Sequence, residues 1–201
     1  KASAQTVTLS GPQTTTQTPS PSATPLVVVT DSTFSVVNAT GDALVLTGTN
    51  GTSFTDLFNS TITGATYGIL AVNSGTGALS VTTTGAVTGT SSRGILAINS
   101  SAGTSLTIAA AAVTGGTDGI LADNQGNGAL SVTASGAVRG TSGGGITAFN
   151  SATAGALTIS AAAVSGATDA VYAVNSGTGA LSVTTTGTVS GTGTHGRGIA
   201  A

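Results

Sequence analysis

One phrase keeps returning in this chain, and it decides what kind of object the chain can fold into. GILAVNSGT begins at Gly68, GILAINSSA at Gly94, GILADNQGN at Gly119, GITAFNSAT at Gly145 and AVYAVNSGT at Ala170. The asparagines of these phrases, Asn73, Asn99, Asn124, Asn150 and Asn175, are separated by 26, 25, 26 and 25 residues. Val87, Val113, Val138, Val164 and Val189 show the same four separations. A fixed period in this range marks a repeat architecture and must be interpreted before any local propensity. Each copy holds three short apolar phrases separated by Gly, Asn, Ser and Thr. None is long enough for a helix, and no long window carries a 3.6-residue apolar period.

If each phrase is a strand and each copy one turn of a coil, equivalent residues stack at the strand spacing of about 4.8 Å. The expected fold is therefore all-β: a single-stranded, right-handed parallel β-helix with turns of about 25 residues and three short strands each. Such a solenoid contacts only its neighbours turn by turn, so one turn alone does not fold. The pattern extends backwards, in degenerate form, to about residue 34. A 51-residue double unit overlies it, in which residues 68–118 resemble 119–169.

The columns sort by facing, because alternate residues of a strand share a face. In the first strand, Ile69, Ile95, Ile120, Ile146 and Val171 are uniformly apolar. So are Ala71, Ala97, Ala122, Ala148 and Ala173. Both columns are expected inside. The second strand should bury Leu79, Leu106, Leu130, Leu157 and Leu181 with Val81, Ile108, Val132, Ile159 and Val183. The third strand should bury the Val column. Gly89, Gly115, Gly140, Gly166 and Gly191 follow that column, and a turn with positive φ is expected there.

Residues 1–25 form a separate Pro/Thr/Ser-rich segment that carries all four prolines of the chain. Proline lacks the ladder donor, so this stretch reads as an extended segment or cap, with one short edge strand at Val7 and Leu9. Residues 26–201 read as the β-helix, cut mid-solenoid. Lys1–Gln5 looks like the end of a secretory signal, with Ala2 and Ala4 in a small-x-small pattern.

Composition limits function. Charged residues are 5% of the chain and the net charge is −2, while 39% is hydrophobic, so this is not a self-repelling disordered coil. Lys1, Arg93, Arg139 and Arg197 are too few for a phosphate-binding stripe, and no nucleic-acid partner is expected. No apolar run reaches the length of a membrane-spanning helix. The chain has no Cys, which suits export through an oxidising compartment. Gly143-Gly144-Gly145 precedes no helix and is not a phosphate cradle. No cofactor or metal set is apparent. His195 lies alone in a Gly-rich stretch, and Asp118 and Asp123 flank one strand without the setting that glycoside cleavage needs. No catalytic residue is assigned.

Two constellations remain. The Asn column can form a side-chain amide ladder, since each amide both donates and accepts. The outward positions of the first strand carry Leu70, Val72, Leu96, Ile98, Leu121, Phe149, Tyr172 and Val174. A contiguous apolar strip of this kind marks a partner surface, for a second copy of the chain or for a host-surface protein or glycan. Arg93 beside Asp118, and Asp169 beside Arg197, are expected to stack as exposed pairs that pin register. The Ser/Thr face of the second strand admits an ice-binding reading, and the fold itself admits a polysaccharide-binding or polysaccharide-cleaving one.

The GILAVNSGTGALSVTTTGAVTGT repeats resemble the passenger region of bacterial type V autotransporters and related large exoproteins, over about residues 34–201. That resemblance implies display outside a Gram-negative cell and a non-enzymatic adhesive, self-associating or scaffolding role. It also implies a C-terminal β-barrel translocator elsewhere in the full protein.

Overall fold

The computed structural model describes residues 3–19 and 25–201. Lys1, Ala2 and residues 20–24 lie outside the described residues, so the reading of Lys1–Gln5 as a signal remnant falls partly outside them. The described chain is a parallel β-solenoid of about seven turns, and no helix occurs among the described residues.

Like residues sit over like. Ile69 pairs with Ile95, Ile95 with Ile120, Ile120 with Ile146 and Ile146 with Val171, all in parallel. Second strands stack in the same way, Leu79 on Leu106, Leu106 on Leu130 and Leu130 on Leu157. Third strands stack Val87 on Val113, Val113 on Val138 and Val138 on Val164. First and second strands belong to one 13-stranded sheet and third strands to an eight-stranded one. The sequence pattern separates the first two strands in every turn. In two turns they run together, as Leu44–Asp56 and Ile69–Thr83. Asn50 pairs with Thr76 across the joint, and Gly51 and Gly77 take φ of 98° and 85° there. Only Gly enters that region at little cost.

The described part of the N-terminal segment carries the same register. Gln5–Leu9 pairs in parallel with Leu26–Thr30, and Pro12–Gln13 with Ser35–Asn38. Val7 and Leu9 pack against the core from this edge strand. Pro12 lies in an edge strand of its sheet, where its missing N–H costs no ladder bond.

The inward columns form one continuous core. The Ile, Ala, Leu and Val/Ile files from residue 69 to residue 159 are completely buried, and the third-strand Val file is buried to within 1%. Leu181, Val183 and Val189, in the last turn, are only partly covered. Outward Ser and Thr of the second strand are half-buried or exposed throughout.

The turn glycines need a different explanation from the one their position suggests. None of Gly89, Gly115, Gly140, Gly166 and Gly191 has a positive φ. They are kept small by proximity. A Cβ on Gly89, Gly115, Gly140 or Gly166 would run into the backbone carbonyl of Arg93, Asp118, Gly144 or Asp169 respectively. On Gly191 it would lie 2.5 Å from the Arg197 backbone. The chain closes so tightly before each new first strand that no side chain fits.

One acid is part of the core. Asp56 is completely buried at the end of a second strand. Its carboxylate accepts from Thr30 Oγ1 at 2.7 Å, Ser60 Oγ at 2.7 Å, Thr83 Oγ1 at 3.3 Å, and the N–H groups of Phe58 and Ser60 at 3.2 Å. Burial pushes its pKa up, but the hydrogen bonds from Ser60, Thr30 and Phe58 outweigh that and hold it below the ordinary value. A lowered folded pKa stabilises the fold in full above the unfolded value of about 3.9, and that contribution is lost as pH falls through the folded value. Thermal melts on a descending pH series should therefore show an acid limb below about pH 4. Asp56→Asn should flatten that limb and cost about 1–3 kcal/mol at neutral pH, because an amide N–H₂ then faces donors. An unchanged acid limb in the variant would exclude Asp56 as its source.

Candidate interaction surface

The Asn file is the most ordered polar feature of the molecule. Asn73 Nδ2 donates to Asn99 Oδ1 at 2.8 Å, Asn99 to Asn124 at 2.9 Å, Asn124 to Asn150 at 2.9 Å and Asn150 to Asn175 at 3.0 Å. The same amides donate to carbonyls of their own loops: Thr104 for Asn99, Gly128 for Asn124, Gly155 for Asn150 and Gly179 for Asn175. Each side chain thus closes the bend between first and second strands and locks to the turn above. At the N-terminal end Gly48 occupies the Asn position, and Asn73 Oδ1 accepts instead from the Gly51 N–H at 3.2 Å. None of the five has positive φ, so tolerance of the left-handed region plays no part in their selection. Asn73, Asn99, Asn124 and Asn150 are buried, which places this ladder in the interior as structure.

The outer first-strand strip lies as two in-register files. Leu70, Leu96, Leu121, Thr147 and Tyr172 are successive partners, as are Val72, Ile98, Asp123, Phe149 and Val174. In a parallel in-register sheet, each side chain is flanked by its neighbours above and below. Most of the strip is accordingly half-buried. Leu96, between Leu70 and Leu121, is only 8% exposed, whereas Phe149 reaches 36%. Phe149 and Tyr172 pack edge to face with ring centroids 5.8 Å apart. Thr147 and Asp123 interrupt the files, and Asp123 accepts a hydrogen bond from Gln125 at 3.0 Å.

The two ion pairs form as the column spacing predicts. Arg93 Nε lies 2.9 Å from Asp118 Oδ2, and Arg197 Nη2 lies 2.9 Å from Asp169 Oδ2. Asp118 Oδ1 also takes the Gly144 N–H, so each acid joins its turn to a neighbouring one. The hydrogen bond from the Arg197 guanidinium holds the Asp169 carboxyl below its usual range. His195 and this pair border an open hollow of about 590 Å³. Among the described residues no three His, Cys, Asp or Glu side chains gather to hold a metal ion. No described helix is long and apolar enough to cross a membrane.

Leu57 and Phe58, at 62% and 52% exposure, escape the repeat pattern because they fall in the degenerate first copy. Their signal is the corner length: six positions separate Asp56 from Ile62, against four from Thr83 to Val87. Comparison of the chain with family models, with curated proteins and with solved structures finds no match.

Proposed function

We propose that this chain is a non-enzymatic, surface-exposed module: a right-handed β-helical segment of an autotransporter-like exoprotein that serves adhesion or scaffolding at a Gram-negative cell surface. The observation that carries this reading is the pair of outward first-strand files ending in the Phe149–Tyr172 contact. Stacking fixes these side chains along a rigid wall, so a partner engages them without ordering loops. Aromatic groups set in such a wall are the usual anchors of an interface. The lattice of parallel ladders supports the scaffolding half of the reading, because a load along the axis is divided at each turn among the ladder bonds of three strands.

The test is adherence. Particles coated with the chain should bind an epithelial cell layer, and Phe149→Ser with Tyr172→Ser should lower that binding about tenfold or more. Both side chains face outward, so the variant should melt as the parent does. Equal adherence by parent and variant removes the strip from the proposal. Retention on a polysaccharide array with release of reducing ends replaces the reading with a carbohydrate-active β-helix.

A further inference from the structure

The triplet Asn-x-Ser/Thr, on whose asparagine amide a transferase can set a sugar, occurs four times, at Asn38, Asn50, Asn59 and Asn99. In a chain this rich in Ser and Thr the triplet alone does not choose among them. The folded coil does. Asn38 is buried, and its amide N–H₂ donates to Thr16 Oγ1 at 2.9 Å and to the Asp42 carbonyl at 2.8 Å. Asn99 is a rung of the buried ladder and donates to Asn124 and to the Thr104 carbonyl. Neither amide can give up a hydrogen without opening the coil. Asn50 lies within Leu44–Asp56, where its Oδ1 accepts from Thr76 Oγ1 at 3.1 Å, and the hydroxyl of its triplet, on Thr52, is buried.

Asn59-Ser60-Thr61 is placed differently, in the corner between a second and a third strand. Asn59 and Thr61 are both exposed, and neither side chain has a hydrogen-bond partner among the described residues. The backbone beneath them is anchored. Buried Asp56 accepts from the Phe58 and Ser60 N–H groups and from Ser60 Oγ, and Asn59, at φ 57°, donates its own N–H to Thr84 Oγ1 at 3.1 Å. Asparagine is one of the few residues that enter the left-handed region routinely. The corner therefore presents both reacting groups of the triplet to solvent without giving up a hydrogen bond. Leu57 and Phe58 precede them at 62% and 52% exposure. The C–H face of a sugar ring on Asn59, laid on these side chains, would take apolar surface out of water.

We propose that Asn59, alone among the four, carries an N-linked sugar. Its amide nitrogen attacks the anomeric carbon of a sugar activated as a diphosphate ester, held by a transferase. The N–C bond forms and the C–O bond to phosphate breaks. The diphosphate leaves with the electron pair, and the amide proton passes to a base of the transferase. Thr61 Oγ1 is the hydroxyl by which the transferase holds the triplet. The first-strand strip takes no part, so the site stands or falls independently of the adhesive reading.

Mass spectrometry of the protein taken from the cells that make it tests the proposal. Lys and Arg are too few for useful tryptic peptides, so the digest uses a protease of broad specificity. Peptides that contain Asn59 should be heavier by a sugar, and fragmentation should place the added mass on Asn59. An increment of a single hexose identifies a nucleotide-bound donor, and an oligosaccharide transferred whole identifies a lipid-bound one. Asn59→Gln should abolish the increment. Thr61→Val should abolish it as well, although Asn59 is still present. Both variants should keep the β-sheet circular dichroism of the parent, because neither side chain bonds to the coil. Unmodified Asn59 in protein from its own cells overturns the proposal. So does a sugar on Asn38 or Asn99 of the folded protein, or an increment that survives Thr61→Val.

Discussion

Asn124→Leu should strip about 2–5 kcal/mol from the solenoid, although the substitute has nearly the same shape. Asn124 is completely buried in mid-ladder. Its removal leaves one Asn99 N–H without its acceptor and the Asn150 carbonyl oxygen without its donor, and the Gly128 carbonyl keeps only the Gly155 N–H. Buried polar groups that lose partners incur the full desolvation penalty, and two are orphaned here. Because each turn depends on its neighbours, the damage should spread along the axis. Hydrogen exchange should accelerate first in Ile95–Asn99 and Ile146–Asn150. Asn175→Leu supplies the contrast, since that side chain is half-buried at the last rung of the ladder, where water reaches the Gly177 and Gly179 groups it bonds. Equal losses at Asn124 and Asn175, or protection unchanged in the flanking strands, would show that the ladder adds nothing beyond backbone pairing.

Gly115→Ala should be nearly as harmful, by about 3 kcal/mol or more, at the upper end of what overpacking costs. The added methyl would overlap the Asp118 carbonyl and sit 2.9 Å from the Gly94 nitrogen. Both neighbours are backbone, in turns whose registers are fixed on either side, so relief requires the chain to open. Gly155→Ala is the control. Its nearest atom to a new Cβ is 3.8 Å away and its φ is not positive. There the substitution should be neutral or stabilise by about 0.4–1 kcal/mol, through a less flexible unfolded chain. Chemical denaturation of the two variants side by side distinguishes them. If Gly115→Ala is tolerated, the close approach is not what selects glycine in that file.

Both predictions rest on files of like residues, and those files are legible in the amino-acid sequence. Asn73 over Asn99, or Val87 over Val113, follows from the period alone, because a repeat with three apolar phrases per copy buries them only by stacking. Facing is equally legible. The Asp in the file of Asp123 places that file outside, since an unpaired charge is costly inside. Arg93 and Asp118 meet for the same reason: they hold the same place in consecutive copies.

What the period does not convey is how each file is used. Glycine in the file of Gly115 suggests a special dihedral, and the dihedral is ordinary; the constraint is a carbonyl from the other side of the turn. Asp56 falls in a degenerate copy with no acid at the same place in later turns, and it is fully buried where Thr30 and Thr83, one turn away on either side, supply hydroxyls to it. The exposure of Leu57 and Phe58 likewise depends on which corners lie above one another. One-dimensional periodicity determines which residues stack and which way they point. Contacts made across a turn, between residues without a common place in the repeat, arise only when the coil closes, and they decide burial, strain and the shape of the outer wall.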